Sequence, residues 1–260
     1  MKSNQRPFVK PKKKLGQHFL KDELIAKRIV DSFDASGKSV VEIGPGMGVL
    51  TKHLLGRNNF IAADVDDESI EYLKRSFPEN SKCFELLDFL KMDLAIYDQG
   101  ELGIIGNFPY NISSQIFFKV FENRNKVDEV VGMIQKEVAD RIASKSGNKV
   151  YGILSVLLQA FYEIDFLFAV GSESFIPPPK VESAVIRLKR NKVESLPCDE
   201  KLFKRVVKLG FGKRRKTLRN ALKELNLSED LVSQSVFSRR AEQLTVQDFI
   251  SLTSSISDNG

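Results

Sequence analysis

The residues best suited to chemistry are Asn107-Phe108-Pro109-Tyr110, which follow an apolar run from Gly103 to Gly106. The run reads as a β-strand, and ligands of open α/β sheets bind beyond the carboxyl ends of strands. The four residue types suit an exocyclic aromatic amine such as that of adenine. That nitrogen is a poor nucleophile because its lone pair is delocalised into the ring, and its hydrogens are good donors. The Asn107 side-chain oxygen and the Phe108 carbonyl can accept those hydrogens off the ring plane and free the lone pair. Pro109 has no N–H and a fixed φ, which holds that carbonyl, and Tyr110 offers a face on which a base can stack. With an already activated methyl donor, no strong base is needed. Orientation and hydrogen bonds that strengthen in the transition state suffice. A plain turn is the alternative for these residues taken alone, and their place after a strand argues against it.

A donor site is legible upstream. Glu42-Ile43-Gly44-Pro45-Gly46-Met47-Gly48 follows a β-rich run, Ser39 to Ile43, and precedes a helix near Val49 to Leu55. Glycines there let the backbone turn sharply and approach a ligand. The spacing is G-x-G-x-G, and Val49 stands where a dinucleotide fingerprint wants its last glycine, which counts against NAD. Asp64 lies twenty residues beyond Gly44, at the end of a second strand read from Asn59 to Val65. An acid there can accept from both hydroxyls of a ribose. Asp88-Phe89 closes a possible third strand, where an acid can accept from an adenine amino group and a ring can pack on the base. Together these point to an adenosine-containing cofactor other than NAD, with S-adenosylmethionine the leading candidate. Each acid alone would read as a solvated strand end.

Phe175-Ile176-Pro177-Pro178-Pro179-Lys180-Val181 is a stiff extended segment. It either holds Phe175 over the pocket, sandwiching a flipped base against Tyr110, or is a crossover with Phe175 in the core.

The elements that must position these residues alternate. Asp22 to Phe33 reads as a helix with Asp22 as N-cap. Val127 to Ile134 fits a further strand, and Ser183 to Leu188 alternates like an edge strand. The pattern argues for a doubly wound, mostly parallel sheet. Residues 199–252 show helical periodicity and almost no strand signal, so a boundary is expected between Arg190 and Pro197. The division expected is a basic flexible arm over residues 1–14, a catalytic domain over 15–191 and a small helical domain over 192–260.

Charge is concentrated. Residues 1–14 carry six basic and no acidic side chains, and residues 201–225 carry ten basic and one acidic. The net charge is +6, so these segments, at +15 together, leave about −9 on the rest. Two undiluted patches favour a polyanionic partner over two solvated faces. Cys83 and Cys198 have no metal-ligand spacing and suggest a reducing compartment, so neither a metal nor a disulfide is expected. The longest apolar stretch, Val150 to Tyr162, is broken by Gly152, Ser155 and Gln159 and is too short to span a bilayer. No secretory signal is visible, and the cytoplasm is the expected location.

The ordered set of motifs resembles the KsgA family of ribosomal RNA adenine dimethyltransferases over nearly the whole chain. Leu15-Gly16-Gln17-His18-Phe19-Leu20 is similar to the family's G-Q-N/H-F-L, and Asn107 to Tyr110 to its N-L-P-Y, continued by Asn111-Ile112-Ser113. Glu42 to Gly48, Gln135 to Val138, Tyr151-Gly152, Phe175 to Ser183, Arg214 to Asn220 and Arg240-Ala241-Glu242 also fit.

The resemblance implies a class I, Rossmann-like methyltransferase with a small helical C-terminal domain. The implied product is dimethylated N6 on two adjacent adenosines near the 3′ end of small-subunit (16S) rRNA, within an immature subunit. It implies a cofactor site of Gln17, His18, Leu20, Gly44, Gly46, Asp64, Asp88, Phe89 and Asn107. Asn107, Phe108 and Tyr110 would serve the target amine, and Phe175 the target base. Arg215 and Arg219, read as one helical turn apart, would grip phosphates. Asp64 departs from the family's frequent Glu, Phe108 from its common Leu, and the segment from Leu227 to Arg239 is shorter. Two rivals remain open: a resistance-type methyltransferase of large-subunit RNA and a non-catalytic assembly factor that keeps the fold.

Overall fold

The computed structural model describes residues 9–34, 36–57, 59–98 and 100–258. The chain forms two compact units, residues 1–139 with 165–190 and residues 140–164 with 191–260.

The first unit is built on the expected sheet. Its strands are β1 (Phe19–Leu20), β2 (Ser39–Ile43), β3 (Phe60–Asp64), β4 (Phe84–Leu86), β5 (Leu102–Asn107), β6 (Val127–Gln135), β7 (Tyr162–Val170), β8 (Phe175–Ile176) and β9 (Ser183–Arg190). Seven of them form one sheet in the order β4-β3-β2-β5-β6-β9-β7, while β1 pairs with β8. Neighbours from β4 to β6 run parallel, and β9 runs antiparallel to β6. Every residue of β2 is buried, as a central parallel strand covered on both faces requires. The order reverses between β2 and β5, which opens a crevice at their carboxyl ends.

Helices α1 (Glu23–Asp31), α2 (Thr51–Leu54), α3 (Asp67–Ser76) and α4 (Ser113–Glu122) belong to the same unit. Asp22 caps α1 by accepting from the Leu24 and Ile25 amides at 3.0 and 3.1 Å. Ala26, Ile29 and Val30 then face the core at helical spacing. Asp66 caps α3 by accepting from the Glu68 amide at 3.3 Å. α5 (Lys136–Ala143) begins where β6 ends.

The second unit contains α6 (Ile153–Gln159), α7 (Glu200–Gly212), α8 (Leu218–Ala221), α9 (Glu229–Val232) and α10 (Val246–Asp258). Beyond Arg190 no strand occurs among the described residues. Its core packs Tyr151 edge-on to Phe211 and Phe211 against Phe249, with ring centroids 5.9 Å apart in each pair.

Four features depart from the sequence reading. Ser183 to Leu188 is not an edge: β9 lies between β6 and β7. The edge is β7, whose exposed positions are irregular and so leave no period-2 signal. Residues 140–164 group with the C-terminal helices, a passage that contacts distant in sequence create. Of the basic arm, the described residues are not free. Val9 is buried, and the Lys12 ammonium bonds the carboxylate of Asp66. Arg215 lies in the turn before α8 and Arg219 on it, so they do not share a helical turn.

Two glycines make the crevice possible. A Cβ at Gly106 would stand 2.3 Å from the Ile43 carbonyl oxygen, and one at Gly132, its partner across β5 and β6, 2.5 Å from the Phe108 ring. Gly106→Ala must therefore push β2 and β5 apart. Urea denaturation should show a loss of about 1–3 kcal/mol or more, and a change below roughly 0.5 kcal/mol would contradict this packing.

Candidate active site

The crevice holds a cavity of about 200 Å³ at the ends of β2, β3 and β5, closed on one side by residues 15–19. Gly44 leaves β2 at φ 67°, and a Cβ there would meet the Asn107 carbonyl oxygen at 3.3 Å. Gly46 has φ 54°, and the space its Cβ would need is taken by the Phe19 ring, 2.7 Å away. The glycine loop is thus shaped against both the end of β5 and the N-terminal segment.

Asn107 joins the same two parts. Its amide nitrogen donates to the His18 carbonyl oxygen at 2.8 Å. A carbonyl only accepts, so this bond fixes the amide orientation and leaves Oδ1 as the atom able to accept from a ligand. The Phe108 amide donates to the Met133 carbonyl at 3.0 Å, and its ring packs beside Phe117 in the core. What Phe108 presents to the cavity is therefore backbone, and the identity of its side chain matters for packing alone.

Tyr110 is held at both ends. Its hydroxyl bonds the Ser183 hydroxyl, and its ring lies 5.4 Å from that of His18 at 26°, stacked. Burial raises the pKa of its phenol, so the hydroxyl stays protonated at neutral pH. His18 is itself oriented by Nδ1–H donating to the Pro177 carbonyl at 2.7 Å.

Two acids lie side by side below the loop. Burial pushes Glu42 up to about 8, with the Asp64 charge adding to it, and among the described residues no partner bonds its Oε2. Asp64 is pushed up to about 6 by burial, opposed by the Asp66 amide, which donates to Oδ1 at 3.0 Å. Near pH 7 Asp64 is therefore mostly the charged member and Glu42 the neutral one. Asp66 is tied in turn by Lys12, by Gln17 Nε2 at 3.0 Å and by the Ser69 hydroxyl at 3.0 Å, and the Lys12 bond helps hold its carboxyl below the usual range. Asp88 lines the opposite wall and accepts from the Leu90 amide at 3.0 Å.

Of the residues read from the sequence, the cavity gathers Gln17, His18, Gly44, Gly46, Asp64, Asp88, Asn107, Phe108 and Tyr110. Leu20, Phe89 and Phe175 instead lie buried in the core and do not line it. Phe175 sits opposite Leu20 in the β1–β8 pair, so the proline segment serves the site through the Pro177 carbonyl rather than through a stacking ring. Arg215 is exposed, and Arg219 donates to the Val232 carbonyl at 3.0 Å. Leu15, Val65, Leu90 and Asn111 join the lining without having been singled out, as do Ser183 and Asp66 behind it. Leu15, Asn111 and Ser183 fall within the motif runs, which were the available signal for them. Val65, Leu90 and Asp66 fall outside those runs, and spacing along the chain does not mark them.

The model of the family described as ribosomal RNA adenine dimethylase matches residues 9–258. The chain belongs to the ribosomal RNA adenine dimethylase family. It is 57% identical to the ribosomal RNA small subunit methyltransferase A of Cytophaga hutchinsonii, over 96% of this chain and 98% of that one. To the protein of the same name from Flavobacterium johnsoniae it is 54% identical, over 97% and 98%. A dimethyladenosine transferase from Plasmodium falciparum superposes with a TM-score of 0.79 at 27% identity, over 94% of this chain and 98% of that one. The 23S rRNA methyltransferase ErmE shares the fold, at TM-score 0.67, 22% identity and 90% and 99% coverage. The chain is thus a Rossmann-like methyltransferase that modifies ribosomal RNA, with S-adenosylmethionine as methyl donor.

The cavity suits that donor. The second carboxylate oxygen of Asp64 can accept from the ribose, Asp88 can accept from the adenine amino group, and Val65 and Leu90 supply apolar walls. Protonation of Asp64 would remove its charge. Affinity for S-adenosylhomocysteine should therefore fall several-fold between about pH 7.5 and about pH 5, and Asp64→Asn should flatten the dependence. Calorimetry across that range checks it, and a flat wild-type profile would reject the assignment.

Proposed function

We propose that this methylase dimethylates N6 of two neighbouring adenosines near the 3′ end of small-subunit (16S) rRNA, acting in the cytoplasm on immature subunits. The observation that carries the chemistry is the Asn107–His18 bond, because it commits Oδ1 to accepting from the incoming amine. The donor supplies an activated methyl on its sulfonium. Asn107 Oδ1 and the Phe108 carbonyl would accept the amine hydrogens and turn the nitrogen lone pair toward that methyl. As the nitrogen–carbon bond forms the sulfur–carbon bond would break, the sulfur keeping its electron pair, and the methylated nitrogen would release one proton to water. The Tyr110 ring, anchored by Ser183 and backed by His18, supports the base. These contacts strengthen as positive charge grows on nitrogen, so they act on the transition state more than on binding.

The same acceptors explain the extent of reaction. A monomethyl amine keeps one hydrogen to be held, and the substituted base can rotate. A dimethyl amine has none left, so its hold is lost and reaction stops. The names of relatives more than half identical to the chain support the small-subunit target. The complete acceptor set speaks against a non-catalytic assembly factor. The basic stretch from Lys201 to Lys223 suits an extended polyanion. Among the described residues no helix is long and apolar enough to cross a membrane.

Asn107→Ala should lower the single-turnover rate at saturating cofactor by roughly 100-fold or more, with RNA affinity nearly unchanged. A rate close to wild type would remove Asn107 from the chemistry. Mass spectrometry of rRNA from cells with and without the protein, backed by methylation of immature small subunits, tests the product. Methyl groups confined to large-subunit RNA, or a stop at one methyl, would overturn this reading.

A further inference from the structure

Asp88 and Leu90 reach the cavity from a short loop, residues 88–92, that contributes no strand to the sheet. The loop turns tightly. The Lys91 and Met92 amides donate to the Asp88 carbonyl at 2.9 and 3.1 Å. Three of its other carbonyls converge on one side-chain nitrogen. Those of Phe89 and Leu90 lie 2.7 and 3.1 Å from the ammonium of Lys119, and that of Met92 bonds the same nitrogen. An ammonium has three donors, and three carbonyls saturate it. The nitrogen also stands 5.1 Å from the Phe89 ring centroid. Burial lowers the Lys119 pKa, with Asp88 and Asp93 opposing.

Lys119 lies on α4, the helix that starts three residues after Tyr110. It therefore connects the wall that carries the target amine's acceptors to the wall that carries Asp88. Among the described residues no acid is its direct partner. It is a cation spent on holding carbonyls.

We infer that Lys119 is a positioning residue, a cationic strut that sets the Asp88–Leu90 loop to read the amino group of the cofactor's adenine. The inference rests on Asp88 being the acceptor for that group. Without the ammonium, the three carbonyls would turn to water and the loop would lose its fixed height against the cavity. The damage would fall on discrimination at the adenine 6-position and spare the ribose contact at Asp64.

Calorimetric titration of S-adenosylhomocysteine and of S-inosylhomocysteine, which carries a 6-oxo group, into the full chain tests this. Wild type should prefer the adenosyl ligand by about tenfold or more. Lys119→Met should erase most of that preference while leaving affinity for the inosyl ligand within about twofold. Lys119→Arg, which keeps the charge and several donors, should restore part of it. Lys119→Gln gives the same readout if the methionine variant does not fold. Equal losses for both ligands, or an intact preference, would overturn the positioning role. Asp88→Ala separates the two claims. If it abolishes the preference while Lys119→Met keeps it, the strut alone fails. If Asp88→Ala keeps the preference, the Asp88 reading fails and the inference with it.

Discussion

The site depends on how closely the ends of β2 and β5 approach. At Gly106 the backbone leaves no space for even a methyl group beside the Ile43 carbonyl, and at Gly44 a Cβ would press on the Asn107 carbonyl. This contact brings the glycine loop that lines the cavity against the strand end that carries Asn107 and Phe108. A sheet that parted here by the width of one carbon would keep every motif and lose their geometry, because protein interiors do not deform smoothly. Gly132 extends the constraint to β6 by leaving room for the Phe108 ring, which in turn anchors backbone that lines the cavity.

The N-terminal segment completes the cavity by polar contacts rather than by burial of apolar surface alone. Asp66 is the hub. Its carboxylate takes Lys12, Gln17 and Ser69, and its amide holds one oxygen of Asp64. A cavity-lining acid is thus linked through one residue to the N-terminal segment. The site also divides its acids by environment. Glu42, fully buried, is driven to the neutral form, while Asp64, which lines the cavity and accepts a backbone amide, stays ionised near neutrality.

Aromatic support is arranged differently from the sandwich considered from the sequence. Phe175 belongs to the core, and the ring beside Tyr110 is His18, fixed by a carbonyl of the proline segment. At 5.4 Å between centroids the two rings already touch. His18 thus backs Tyr110 on one face of its ring.

The sequence by itself determined the alternating elements, the parallel sheet, the helical C-terminal stretch and the polar residues at strand ends. Those signals are local: Asp22 before a helical run, β-branched residues in Ser39 to Ile43, and glycines or Asn107 where strands stop. A strand end in this topology opens on the crevice, so Asp64 and Asn107 could be placed from spacing alone. Only the tertiary structure decided that β9 is internal and β7 the edge, because strand order depends on partners distant in the chain. It also moved Leu20, Phe89 and Phe175 into the core, since an apolar residue beside a motif reads the same whether it faces a ligand or a neighbouring strand. Lys12 and Lys119 show the limit most clearly. In the sequence each is one lysine among many, and its role comes from an acid 54 positions away or from carbonyls 27–30 positions away that folding brings within bonding distance.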